Sequence, residues 1–357
     1  MPIIRVGILG ATGAVGQTFV ALLDGHPLFE ITALAASERS AGKTYREAAN
    51  WIGGNEMPDR VAEMVVQRCT TALDCDFVFS GLDANCAGEI EADFARAGYP
   101  VISNARNFRM QPDVPLLIPE VNPDHTVLID RQDWGGSGGF IVTNPNCSTV
   151  GLVMALKPLH DAFGVDAAHV VTMQALSGAG YPGVSSLDIM GNVMPHIGGE
   201  EAKMATETGK LLGTLTEAGV DPADVTISAQ CNRVPVLDGH MECVSVRLKA
   251  PASAEEAAHV MASFESPPAV RGLPTAPEFP IRVFEDERFP QPRRHAMAGG
   301  GMQVSVGRVR ECPVLGVKFV VLSHNTIRGA AGGAILNAEL LNAQGRLVRR
   351  TEAVAAE

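Results

Sequence analysis

No apolar run in the chain reaches the roughly 18 residues that a membrane-spanning helix needs. The start, Met1-Pro2-Ile3-Ile4-Arg5, enters an apolar stretch at once. It has no basic n-region, no long h-region and no small-residue cleavage site, so no signal peptide is expected. Basic residues are in the minority: 28 Lys and Arg stand against 40 Asp and Glu, for a formal net charge of −12. That balance argues against nucleic acid or an anionic membrane as the main partner. It leaves room for a small anionic substrate in a local Arg/Lys pocket. The 7 cysteines are Cys69, Cys75, Cys86, Cys147, Cys231, Cys243 and Cys312, an odd count with no CxxC pair. Such usage speaks against a disulfide framework or a zinc site and for a reducing cytosol, so a cytoplasmic protein without metal is expected. Glycine is abundant, at 37 residues, yet follows no triplet period. Internal repeats and low-complexity tracts are also missing, which excludes a fibrous chain.

What is present is the balance of a globular protein: 357 residues, 46% hydrophobic and 19% charged. At roughly 100–200 residues per domain, two domains are expected, each able to bury a sizeable core. The first half alternates short apolar runs with helical patterns. Strands are predicted over Ile3–Leu9, Ile31–Ala36, Val61–Gln67, Asp76–Ser80 and Pro100–Ser103, with helices over Gly13–Leu23 and Ala84–Ala97. Alternation of this kind predicts a Rossmann-type, doubly wound parallel sheet. Beyond Cys147 a helix is predicted over Thr149–Phe163. Longer strands follow at Ala168–Ala175, Val225–Pro235, Glu242–Lys249, Met302–Arg310 and Val317–His324. Long strands with intervening helices predict an α+β domain on a mixed or antiparallel sheet. The segment Pro267–Pro292 holds 7 prolines and is expected to cross the surface as an irregular, extended arm. Arg328–Leu341 reads as a helix of small residues, and the tail Thr351–Glu357 is expected to fray.

Two segments carry chemistry. Gly10-Ala11-Thr12-Gly13-Ala14-Val15-Gly16 follows the first strand and opens the first helix. Glycines at this junction let the backbone approach a pyrophosphate, and the helix start supplies N–H donors and a positive dipole. The second strand runs into Ser37-Glu38-Arg39-Ser40. Hydroxyls and a guanidinium there suit the 2′-phosphate of NADP; Glu38 offers the acidic alternative that would hold an NAD ribose.

The other segment is Thr143-Asn144-Pro145-Asn146-Cys147-Ser148-Thr149, which places Cys147 at or just before a helix start. A helix N-terminus favours the thiolate, and the thiolate is the nucleophile. The remaining cysteines lie in apolar patterns and read as packing residues. A nucleophilic thiolate needs an acid or base in reach. His240 stands out, after Arg233-Val234-Pro235-Val236-Leu237-Asp238-Gly239, in a predicted turn; His160 and His196 are rivals.

These segments, taken in order with Gln174-Ala175-Leu176-Ser177-Gly178-Ala179-Gly180, Gly199-Glu200-Glu201-Ala202-Lys203, Ser103-Asn104-Ala105-Arg106-Asn107-Phe108-Arg109 and His324-Asn325-Thr326-Ile327-Arg328-Gly329, resemble the aspartate-semialdehyde dehydrogenases. The wording is most similar to the archaeal and fungal branch. The resemblance implies an NADP-binding domain over residues 1–145, completed by a C-terminal helix within 326–357, and a catalytic and dimerisation domain over 146–325. It implies NADPH-dependent reduction of L-aspartyl 4-phosphate to L-aspartate 4-semialdehyde and phosphate, a step toward diaminopimelate, lysine, threonine, methionine and isoleucine. It also implies a homodimer or homotetramer.

Residue by residue, the resemblance makes Cys147 the nucleophile, His240 the acid/base and Gln174 the group that holds the intermediate. Backbone N–H groups at the Cys147 helix start would stabilise the oxyanion. Gly10, Ala11, Thr12, Gly13, Ala14 and Val15 would hold the cofactor pyrophosphate, and Ser37, Arg39 and Ser40 its 2′-phosphate. Ser177, Gly178, Asn325 and Gly329 would line the nicotinamide. Arg233 would bind the substrate carboxylate and Glu200 its ammonium. Asn104, Arg109 and Lys203 would bind its phosphate, and Asn146 belongs to the same substrate set. Without the resemblance, Glu200 and Lys203 read as an i,i+3 pair on a solvated helix face.

Three alternatives stand beside this reading. A malonyl-CoA or succinyl-CoA reductase would use the same thiolate and cofactor without a phosphate or ammonium pocket. An N-acetyl-glutamyl-phosphate reductase would carry a Gly-Cys-Tyr run, which is missing here. A non-catalytic NADP-binding relative would leave the setting of Cys147 unexplained.

Overall fold

A computed structural model describes residues 3–54 and 56–349, so the expected frayed tail Thr351–Glu357 lies outside the described residues. The chain divides into two compact units. Among the described residues, the first comprises 3–54, 56–117, 125–144 and 334–349, and the second comprises 118–124 and 145–333.

The first unit is built on β1 (Ile4–Leu9), β2 (Phe29–Ala36), β3 (Gln67–Arg68), β4 (Phe77–Ser80), β5 (Pro100–Ser103) and β6 (Phe140–Thr143). They form one sheet in the order β3-β2-β1-β4-β5-β6, parallel throughout. The strands are near-continuous apolar runs, as parallel sheets buried on both faces require, and β4, β5 and β6 are buried along their whole length. The helices of nine or more residues that follow β1 and β4 are α1 (Ala14–Leu23) and α2 (Ala84–Arg96). Strand order reverses at β1, which pairs β2 on one side and β4 on the other. In such sheets ligands bind beyond the carboxyl ends of the strands at this switch point. Here the glycine loop leaves the end of β1.

The strand predicted over Val61–Gln67 is corrected. Asp59–Ala62 is a helical turn, and only Gln67–Arg68 joins the sheet. Val61 and Ala62 are buried from that helical turn, and pairing with β2 starts only at Gln67, so apolar content alone did not make the segment a strand.

The second unit begins with α3 (Cys147–Phe163) and continues through β7 (Val165–Gln174), α4 (Glu200–Leu211), a small hairpin of β8 (Thr214–Thr216) and β9 (Gly219–Asp221), β10 (Thr226–Arg233), β11 (His240–Leu248), α5 (Ala254–Ala262), β12 (Ile281–Phe284), β13 (Val304–Cys312) and β14 (Gly316–Ser323). Its main sheet is mixed, in the order β10-β7-β11-β14-β13-β12. β10 and β7 run parallel, as do β12 and β13, while the pairings between β7, β11, β14 and β13 are antiparallel. α3 packs on this sheet over β11, β14 and β7. Gly151 permits the approach, since a Cβ there would come within 2.6 Å of Ser323 Oγ.

The proline-rich segment is not wholly irregular, as expected, but contributes β12 to the sheet edge. Residues 281–284 contain no proline, and an edge position tolerates prolines on either side.

Candidate active site

In the first unit, the loop after β1 is shaped by backbone crowding. Gly10 has φ +76°, and a Cβ on it would come within 2.8 Å of the Gly81 carbonyl oxygen. At Gly16 a Cβ would lie 2.3 Å from the Gly10 carbonyl oxygen. Only glycine fits at either place. Loop carbonyls are occupied from within: Tyr45 Oη donates to Ala11 O at 2.9 Å, and Gln17 Nε2 donates to Thr12 O at 3.0 Å. The start of α1, behind Gly13, has no side-chain cap. That set — glycine walls, occupied carbonyls and an uncapped helix start — fits a dinucleotide pyrophosphate. At the end of β2, Ser40 is buried, while Ser37 and Arg39 are exposed. Glu38 faces Arg68, 3.6 Å away and equally exposed. Near the end of β5, Arg109 Nη2 donates to Asn104 O at 2.8 Å, and Asn144 Nδ2 donates to Asn104 Oδ1 at 2.9 Å. The structure therefore makes neighbours of Asn104 and Arg109.

In the second unit, Cys147 is the first residue of α3, two residues earlier than the predicted helix start. Asn146 caps that helix, its side-chain oxygen accepting from Ser148 N at 3.0 Å and Thr149 N at 3.3 Å. Backbone N–H groups at this helix start were expected to serve a reaction oxyanion; the cap takes those of Ser148 and Thr149.

His240 does not sit in a turn. It is the first residue of β11 and is fully buried. Its Nε2 lies 3.3 Å from Cys147 Sγ. Its Nδ1 accepts from the Ala175 backbone N–H at 3.1 Å. Burial, followed by the positive charge of Arg233 and the proximity of His324, lowers its pKa to about 3. The rivals are placed elsewhere: His160 lies near the C-terminus of α3, and its Nδ1 accepts from Val165 N.

The Glu200 carboxylate ties the remaining side chains together. Its Oε1 meets Lys203 Nζ at 2.6 Å, and its Oε2 accepts from Asn146 Nδ2 at 2.8 Å and Gln174 Nε2 at 3.4 Å. Burial acts to raise the Glu200 pKa, but the Lys203 ammonium and the two amides outweigh it and hold the carboxyl below its ordinary value. Glu200 is thus a buried hub rather than part of a solvated face. Arg233, the last residue of β10, is also buried, and its Nη1 donates to Ala175 O at 2.8 Å. Gly178 packs against both functional side chains: a Cβ there would lie 2.9 Å from Arg233 Nη1 and 2.9 Å from His240 Cε1. Asn325 donates to Ser177 Oγ at 2.8 Å and accepts from Gly239 N at 2.9 Å, which anchors the backbone just before His240.

Sequence reasoning missed two contributors, Glu207 and the Ala175 N–H. Glu207 accepts from Asn146 N at 2.6 Å and so fixes the residue before Cys147. It lies one heptad beyond Glu200 on α4 (Glu200–Leu211), so helical spacing from that hub was the available signal. Gly329, which the resemblance set on the nicotinamide side, also leaves room for Cys147, since a Cβ on it would sit 2.8 Å from Cys147 Cβ. The Ala175 N–H is a backbone group and carries no sequence signal.

Comparison with known proteins agrees with this geometry. Residues 5–129 match a family described as semialdehyde dehydrogenase, NAD binding domain, and residues 156–328 match semialdehyde dehydrogenase, dimerisation domain. An aspartate-semialdehyde dehydrogenase of Methanothermobacter thermautotrophicus is 51% identical over 344 residues, covering 95% of this chain and 99% of that protein. One from Schizosaccharomyces pombe is 49% identical over 350 residues, covering 95% and 98%. The crystal structure of the Candida albicans aspartate-semialdehyde dehydrogenase with NADP superposes with a TM-score of 0.89 at 46% identity, covering 96% of this chain and 99% of that one. Matches at this identity over almost the whole chain, together with a cysteine–histidine pair at a helix start, establish that the chain belongs to the aspartate-semialdehyde dehydrogenase family, and its resemblance to the archaeal and fungal members holds.

Proposed function

We propose that the chain catalyses NADPH-dependent reduction of L-aspartyl 4-phosphate to L-aspartate 4-semialdehyde and phosphate, and the reverse phosphorylating oxidation. The observation that carries this reading is the 3.3 Å contact between Cys147 Sγ at a helix start and a buried His240. A helix dipole and a histidine in contact are what a nucleophilic thiolate needs.

Gly10, Ala11, Thr12, Gly13, Ala14 and Val15 hold the pyrophosphate of NADP in this reading, with Ser37, Arg39 and Ser40 on the 2′-phosphate. Ser177, Gly178 and Asn325 are assigned to the nicotinamide side. Bound there, the reduced cofactor supplies the hydride for the acyl carbon. The chain's own residues do the rest. Cys147 attacks the acyl phosphate, expels phosphate and holds the acyl group as a thioester. Gln174 positions that intermediate. Arg233 binds the substrate carboxylate with its planar fork, and Glu200 takes the ammonium. Asn104, Arg109 and Lys203 bind the phosphate, and Asn146 sets the position of the nucleophile and contacts the substrate. The first unit is the NADP-binding domain, and the second serves catalysis and dimerisation. The enzyme works in the cytoplasm as a homodimer or homotetramer, on small molecules alone.

The test is an oxidation assay with L-aspartate 4-semialdehyde, phosphate and NADP, read by NADPH absorbance, on the wild type and Cys147→Ala. Phosphate-dependent turnover is expected, with a loss of at least about 10³-fold in the variant. Silence here, with Cys147-dependent NADPH oxidation by malonyl-CoA or succinyl-CoA, overturns the substrate. Silence with all of them despite NADP binding overturns the enzyme reading.

A further inference from the structure

We propose that Glu91 is a positioning residue for phosphate recognition: through the Ser103 hydroxyl and the Asn104–Ala105 peptide, it sets where the Arg109 guanidinium stands. This role rests on the assignment of Arg109 to the substrate phosphate made above, and Glu91 acts at one remove from the substrate.

Glu91 lies on α2 and is fully buried. A carboxyl shut away from water is costly unless hydrogen bonds hold it. Its Oε1 accepts from Ser103 Oγ at 2.7 Å. Ser103 ends β5 and pairs across the sheet with Ser80, which ends β4. Burial pushes the Glu91 carboxyl up to about 7, against the Ser80 and Ser103 hydroxyls and the positive charge of Arg109. The carboxyl thus stands at the root of the segment that carries Asn104 and Arg109.

The sheet fixes the chain only as far as the end of β5. Asn104 N–H donates to Ser80 O at 3.0 Å, which extends that hold to the peptide before Asn104. The next peptide, between Asn104 and Ala105, is held by side chains. Ala105 N–H donates to Ser103 Oγ at 2.9 Å. The Asn104 carbonyl, on the opposite edge of the same peptide, accepts from Arg109 Nη2 at 2.8 Å. A trans peptide is planar, and its N–H and C=O point in opposite directions. Turning the N–H away from Ser103 therefore turns the carbonyl away from Arg109. Arg109 is itself buried, so its guanidinium stands where its partners fix it rather than swinging in solvent.

Ser103 can hold the Ala105 N–H only with a lone pair facing it, and its own proton then needs an acceptor elsewhere. Glu91 Oε1 is that acceptor, so the hydroxyl is fixed in both directions. The other bonds of the segment pin its place but leave this peptide plane to Ser103. The Asn104 side chain accepts from Asn144 Nδ2 at 2.9 Å and donates to Ser80 O at 3.2 Å. Asn107 Nδ2 donates to Ala84 O at 2.9 Å, which rests the far side of the turn on α2. The role asks for an acceptor rather than a charge. Glutamine keeps an Oε1 at the same reach. Leucine fills much of the same space and offers none, which leaves the buried Ser103 proton to seek another partner and the hydroxyl to turn.

The test is the semialdehyde oxidation assay on the full-length protein, with phosphate and NADP varied in turn, for the wild type, Glu91→Leu, Glu91→Gln, Ser103→Ala and Arg109→Gln. Glu91→Leu and Ser103→Ala are expected to raise the KM for phosphate about five- to tenfold, the scale of one hydrogen bond. Their KM for NADP is expected to stay within about twofold of wild type, a split that a general loss of structure does not produce. Glu91→Gln is expected to recover most of the phosphate KM. With Arg109→Gln impaired, an unchanged phosphate KM in Glu91→Leu overturns the proposal, and so do equal losses in the Leu and Gln variants. If Arg109→Gln keeps the wild-type phosphate KM, or the wild type does not turn over the semialdehyde, the reading of Arg109 as a phosphate ligand fails. Crystal structures of the wild type and Glu91→Leu then decide the positioning: an Arg109 guanidinium displaced from Asn104 O upholds it, and an unmoved one overturns it.

Discussion

α1 and α3 each follow a parallel strand of the first unit's sheet, yet their N-termini are finished differently. α1 starts behind Gly13 with no side-chain cap, and backbone crowding at Gly10 in the loop and at Gly16 in its first turn leaves room for no side chain at either position. α3 starts behind Asn146, whose side chain takes two of its amides. Both helices offer the same dipole. The first leaves its donors for an external anion, which suits a cofactor pyrophosphate. The second has two of them taken by its own cap, and its field acts on the Cys147 sulfur at its first residue. A bare helix start therefore marks a place for something that arrives. A capped one marks a residue that must be held still.

The comparison is easiest to break at Gly16. Gly16→Ala puts a methyl 2.3 Å from the Gly10 carbonyl oxygen, with backbone on the other side and nowhere to move. Loss of measurable NADPH binding in calorimetric titration is expected, with the first unit weakened by about 1–3 kcal/mol, the usual cost of overpacking. Normal NADPH affinity in this variant would mean that the α1 start is not the anion site.

Asn146→Ala tests the other helix. Removing an N-cap costs about 1 kcal/mol. A lower denaturation midpoint with unchanged NADPH affinity is expected. Turnover should fall more than stability does, because Asn146 also anchors Glu200. A variant as stable as wild type would show that the cap does not hold α3.

The smallest effect, away from both helix starts, is at Glu91 on α2. Its Oε1 accepts from Ser103 Oγ at 2.7 Å, and burial pushes its carboxyl up to about 7. Unfolded, it titrates near its ordinary value of about 4.3. Between these values the folded protein holds the proton and the unfolded chain does not. This group's contribution to stability is therefore full below about pH 4.3, is lost as pH rises toward 7, and levels off above that. Chemical denaturation across this range should show a shallower decline in Glu91→Gln. An unchanged slope would assign the decline to other groups.

Much of this was legible in the sequence because it is local. The glycine spacing at Gly10, Gly13 and Gly16 encodes a turn and a close approach within one strand–helix junction. Pro145 and Asn146 mark a helix start that the neighbouring residues nearly complete by themselves. The parallel sheet and the mixed sheet follow from strand length and alternation. Local reading failed where neighbours in space decide. Val61–Gln67 looked like a strand, but pairing reached only Gln67 and Arg68. Residues Ile281–Phe284 lay hidden among prolines, yet β13 offered them an edge.

At the site the division is the same. By itself the sequence singled out Cys147 as the candidate nucleophile, His240 as its candidate partner and the glycine loop as the candidate cofactor site, since residue type and short spacing carry those signals. Only the tertiary structure decided that Glu200 is a buried hub, that Glu207 clamps the backbone before Cys147, and that Ala175 presents its N–H to His240. These depend on groups 26 to 65 residues apart in the chain being brought within hydrogen-bond distance, as Gln174 is to Glu200 and Ala175 to His240. A backbone N–H is the same in every residue but proline, so its role comes from where the fold points it.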